Sequence, residues 1–122
     1  MHTDAIKNYI VPTITEKQKQ FIYAEEADVL NVALFGMTAK EWKNKNPNLE
    51  GNMRDYANIL QLIILVNLEN LNAQMIKEVL KQKERLEKLN AIAKEQYVIL
   101  HNNNSVEKIN KLDEKNNAKL LD

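Results

Sequence analysis

The stretch Ile59–Leu80, ILQLIILVNLENLNAQMIKEVL, decides how the chain folds. It holds no glycine and no proline, so nothing in it breaks a helix. Ile64, Leu68, Leu71, Met75 and Val79 recur at intervals of four, three, four and four, which is the helical period. Its first two turns, Ile59–Val66, carry Gln61 as their one polar residue. A helix that is apolar all round is expected to be buried on all sides. A buried strand is the rival for Ile59–Val66 alone, but the helical period runs on past it.

Working outward, Lys81–His101 reads as a further helix, with Leu86, Leu89, Ala93, Tyr97 and Leu100 on one face. Glu84 and Lys88 stand as a favourable i,i+4 pair on its charged side. His101 falls at its C-terminal end, where the helix dipole welcomes a cation. Upstream, Glu25 and Glu26 open a helix with Leu30 and Leu34 on its face, and Gly36 stands where a left-handed cap is wanted. The three carboxylates Glu25, Glu26 and Asp28 read as a helix start, not a metal cluster. Thr38 and Glu41 form a capping box for a short helix that carries Trp42 and ends before Pro47. Thr13 and Glu16 form a second such box, and Ala5–Ile10 reads as a short helix or arm.

The fold expected is therefore all-α, an orthogonal bundle of five to six helices around a central buried helix at about 59–80. Residues 1–104 form one domain, and 105–122 a helical or partly disordered tail.

The inventory of side chains narrows the chemistry. The chain of 122 residues has no cysteine, two histidines and two glycines, which removes thiolate sites, phosphate loops and dinucleotide fingerprints. Seventeen basic residues balance seventeen acidic ones, and no segment gathers the dense basic stripe of a polyanion binder. The opening residues lack a signal pattern, and Ile59–Val66 is shorter than the roughly 20 residues that span a bilayer, so a cytoplasmic protein without a membrane span is expected. No catalytic, cofactor or metal residue can be assigned, so the expectation is a protein that is not an enzyme.

Two groups of residues stand out. Arg54 and Asp55 precede the central helix, and Asn67, Glu69 and Asn72 interrupt it. They are expected to form a buried polar network, with the Arg54 fork holding Glu69 and locking the preceding loop. A ligand pocket at Glu69 and Arg54 is the alternative. The second group is Lys40, Trp42, Lys43 and Lys45. Trp42 reads first as a core anchor; otherwise it joins the lysines as a contact for DNA or a partner.

Three segments, Glu26–Trp42 (EADVLNVALFGMTAKEW), Gly51–Ala57 (GNMRDYA) and Asn67–Ala73 (NLENLNA), resemble in order and spacing the C-terminal region of phage and bacterial proteins that carry a KilA-N domain. In those proteins DNA binding belongs to the N-terminal KilA-N domain. Met1–Ile22 is too short to hold that domain, so the resemblance transfers no DNA-binding or catalytic residue. It implies a helical accessory region acting in interaction or oligomerisation, with a second copy or another protein as partner and DNA reached through an associated KilA-N domain. Direct DNA contact by the helix pair at 25–46 is the alternative.

Overall fold

The computed structural model describes residues 11–102. Five α-helices and one 3₁₀ turn make up the described chain, with no strand among these residues: α1 Glu16–Gln20, α2 Glu26–Phe35, α3 Ala39–Lys45, the turn Met53–Tyr56, α4 Ile59–Lys77 and α5 Gln82–His101. The all-α expectation is met. The segment Ala5–Ile10 and the tail 105–122 lie outside the described residues.

Local chemistry sets most boundaries. At α4 the Asn58 side chain accepts from the Gln61 amide at 2.8 Å, and Gln61 reaches back to the Asn58 amide at 3.0 Å. Thr38 and Glu41 make the expected reciprocal pair at α3. At α1 the box is shifted: Thr15 and Gln18 form it, not Thr13 and Glu16. The segment before Thr15 is drawn out of helix because Ile14 is buried in the core. Gly36 closes α2 in the left-handed region at φ 74°, and Pro12 packs so close that an added Cβ would lie 2.7 Å from its Cγ.

The helix α4 stops at Lys77, three residues short of expectation. Val79 adopts φ 63°, Leu80 N–H donates to Met75 O, and Val79 N–H donates to Ile76 O, both at 3.0 Å. This is a Schellman termination with a β-branched residue where glycine is usual, a conformation costing roughly 1–2 kcal/mol. It separates α4 from α5 and lets them return side by side. Asn72 and Arg85 meet near the turn, Asn67 and Gln96 further along, so the two helices run antiparallel.

The core lies between α2, α4 and α5, with α5 packed on both of the others. Seven consecutive residues of α2, Val29–Phe35, are buried. The expected all-round burial thus belongs to the second half of α2. On α4 the buried set is Leu60, Gln61, Ile64, Leu65, Leu68, Asn72 and Met75, one side of the helix. Leu62 and Val66 point outward, 37% and 55% exposed. The correction has a simple cause: α2 and α5 cover only the side of α4 they touch, and no other described helix packs extensively on the rest. By length and composition alone α4 is apolar enough to cross a membrane, yet one of its sides forms part of this core.

Neighbouring residues on α4 should therefore answer differently to truncation. Leu65→Ala should cost roughly 2–5 kcal/mol, whereas Val66→Ala should stay within about 0.5 kcal/mol. Urea denaturation of both variants checks this; equal losses would contradict the placement.

Candidate interaction surface

The five residues expected to form one buried network are dispersed instead. Arg54 Nε donates to Asn31 Oδ1 at 3.1 Å and Nη2 to Ala27 O at 3.3 Å, pinning the 3₁₀ turn to α2. Glu69 is its ion-pair partner only at 3.9 Å, with half of the carboxylate side chain in solvent. Asp55 caps its own turn by accepting from the Asn52 amide at 2.8 Å. Asn67 donates to Gln96 at 2.9 Å. Only Asn72 is buried, and its partners are Glu26 and Arg85.

That trio is the polar centre the sequence reading missed. Arg85, 7% exposed, donates to Glu26 Oε1 at 2.5 Å, to Glu26 Oε2 at 3.3 Å, to Asn72 Oδ1 at 2.7 Å and to Leu80 O at 3.1 Å. Asn72 completes the ring by donating to Glu26 at 2.9 Å. One guanidinium thus ties the start of α2, the end of α4 and the start of α5. Beside it Gln82 and Tyr23 exchange two bonds, 2.8 and 2.9 Å, that hold the strand-like lead into α2. A capping signal had concealed the role of Glu26, since a carboxylate in a first turn already has a local explanation. Asn90 was also missed: it donates at 2.8 Å to both Pro12 O and Ala33 O, anchoring the N-terminal segment and α2 to α5.

The hydrogen bond from Arg85, chiefly, holds the Glu26 carboxyl below its usual range, with Asn72 adding to it against the opposing effect of burial. Burial pushes the Tyr23 phenol up, helped by Glu41 and Asp28. Tyr23 Oη donates to Gln18 O at 3.1 Å and is already engaged.

Of the two readings of Trp42, the structure fits the first, a core anchor, and not the contact. Trp42 is 1% exposed and packs at 5.3 Å against the ring of Tyr56. Its indole Nε1 is buried without a hydrogen-bond partner. Lys43 donates its ammonium to Leu49 O. Lys40 and Lys45 stand exposed. Lys40, Lys17, Phe21 and Asn44 help to line an open groove of about 500 Å³ between α1 and α3. The other polar walls of the groove, Thr15, Gln18, Thr38 and Glu41, are spent on capping boxes. Neither Arg54 nor Glu69 lines it. No group of three or more metal-ligating side chains gathers among the described residues.

The most distinctive surface is apolar. Ile59, Leu62, Ile63 and Val66 follow one another at i, i+3, i+4 and i+7 along the outer side of α4, Leu62 and Val66 exposed, Ile63 half-buried and Ile59 partly packed against the core. Ile99 of α5, 55% exposed, extends the patch. It reaches the same crease because Asn67 and Gln96 bond across the two helices, with Ile63 four residues before one and Ile99 three after the other. No charged residue lies on α4 between Asn58 and Glu69. The outward side of α5, by contrast, carries Lys83, Glu84, Glu87 and Glu95.

The trio predicts an acid limb of stability. A carboxyl held low when folded stabilises the fold at pH above its unfolded value of ~4.3, and that share is lost as pH falls through the lower folded value. Glu26→Gln should be less stable than the parent at pH 7 and should flatten the loss below pH ~4.3 in urea midpoints measured across pH. Parallel curves for the two proteins would contradict the role given to Glu26. Comparison with protein families, curated proteins and solved structures finds no match, so the geometry of the chain itself carries the functional reading.

Proposed function

We propose that this chain is a non-enzymatic helical interaction module, and that it associates through the outer side of α4. The observation that carries the reading is the uncharged run Ile59, Leu62, Ile63 and Val66, left open to solvent or partly so on an otherwise well-packed helix. Removing such surface from water is favourable at roughly 25 cal/mol per Å². Contiguous apolar patches rimmed by polar residues mark contact sites on soluble proteins. The resemblance of Glu26–Trp42, Gly51–Ala57 and Asn67–Ala73 to the region accompanying KilA-N domains supports the same role, beside a DNA-binding module in a phage or regulatory protein.

Direct DNA contact through α2 and α3 has less support. Of its four side chains, Trp42 is in the core and Lys43 is bonded to Leu49. Two exposed lysines make a small electrostatic footprint for phosphates.

Light scattering on the full chain tests the proposal. The parent should associate, with a mass above the 14.2 kDa of one chain that rises with concentration. The double variant Leu62→Glu, Val66→Glu should remain at one chain mass while keeping its helical circular dichroism. A parent that is strictly monomeric at high micromolar concentration, without a partner, contradicts the reading.

A further inference from the structure

We propose that the surface seated on α4 is the same surface of a second copy, the two α4 helices crossing antiparallel about a two-fold axis between Leu62 and Val66. This rests on the interaction reading above and adds its partner, stoichiometry and geometry.

The shape of the patch favours this occupant. Leu62 and Val66 lie on one i±4 ridge with Asn58 and Asn70, and Ile59 and Ile63 lie on the next ridge. Ridges of this kind pack into the matching grooves of a like helix at about −50°, the commonest helix crossing. Such a crossing brings only about three turns into contact, the extent of the apolar run. In a two-fold pair Leu62 of each copy meets Val66 of the other at the centre, and the uncharged Asn58 and Asn70 meet at the ends.

Charge points the same way. The patch carries no charge between Asn58 and Glu69, and Glu69 has Arg54 beside it on the rim. Pairing two copies therefore buries no unpaired ion, whereas a charged partner surface would lose its hydration with nothing opposite. Among the described helices, the outer side of α5 carries Lys83, Glu84, Glu87 and Glu95, and the outer side of α4 is the neutral match.

Size is sufficient. The open parts of Ile59, Leu62, Ile63, Val66 and Ile99 offer on the order of 350 Å² of apolar surface per copy, the scale of a functional patch. Two of them, at the roughly 60% apolar share of ordinary interfaces, correspond to about 1,200 Å² in total, the lower edge for a stable complex. The dimer is accordingly expected to be reversible, formed at micromolar concentration.

The chain's own residues 103–122 are the competing cover. That segment carries eight charged residues among twenty, with Val106, Ile109 and Leu112 as its large apolar side chains at helical spacing, a poorer match to an uncharged ridge.

The absence of cysteine makes a clean test available. Full-length chains carrying Leu62→Cys and Val66→Cys are mixed in an oxidised-glutathione buffer and compared with each variant alone and with Glu87→Cys on the charged side of α5. The mixed pair should form a disulfide dimer at least tenfold faster than Glu87→Cys, and faster than either variant alone. Light scattering should show twice the chain mass and no larger species. Ile109→Asp with Leu112→Asp, placed in each cysteine chain, should leave the rates unchanged. Association that persists without the mixed cross-link, or masses beyond two chains, overturns the antiparallel pair while leaving the interaction reading standing. Faster cross-linking with the tail substitutions assigns the patch to residues 103–122 and also overturns it. A parent that does not associate at all removes both.

Discussion

A helix with apolar side chains around most of its circumference must be covered around most of its circumference, and α4 is covered on only one side. Its inner side meets α2 and α5 through Ile64, Leu65 and Leu68, each essentially out of contact with water. Its outer side is no less greasy at Leu62 and Val66, yet these stay 37% and 55% exposed. Apolar surface left facing solvent costs solubility and adds nothing to a core. The arrangement makes physical sense when a second surface completes it.

What keeps α4 in that pose is a polar device at its far end. Arg85 gathers Glu26, Asn72 and the Leu80 carbonyl, so three helix ends converge on one guanidinium. Isolated surface ion pairs contribute little, but a bidentate pair with a buried amide and a backbone carbonyl fixes direction as well as distance. The strained left-handed Val79 is tolerated beside it because the same turn delivers Leu80 O to Arg85. At the other end Asn67 and Gln96 fix the register, which brings Ile99 level with Ile63. Polar contacts thus decide where the apolar patch is presented.

The periodicity of Ile64, Leu68, Met75, Leu86, Leu89 and Ala93 made the two long helices legible, because burial demands that spacing. Gly36 and the Thr38–Glu41 box were legible because each solves a local backbone problem. The uncovered side of α4 was not. An apolar run reads the same whether a chain covers it with its own helices or presents it, and only the packing of α2 and α5 distinguishes the two. The Arg54–Glu69 pair forms only loosely, at 3.9 Å, for a related reason. Complementary charges close to the same helix suggested a partnership, but Asn31 and the Ala27 carbonyl lay nearer to the guanidinium. Arg85 and Glu26 are 59 residues apart, and no local pattern links them.

The most direct measurement is solvent paramagnetic broadening of the methyl resonances of Leu62 and Val66, recorded from dilute to concentrated protein. Both should broaden strongly in dilute solution and become shielded as concentration rises, while Ile64 and Leu68 stay shielded throughout. Shielding of Leu62 and Val66 at every concentration, or their exposure at every concentration, would contradict the account.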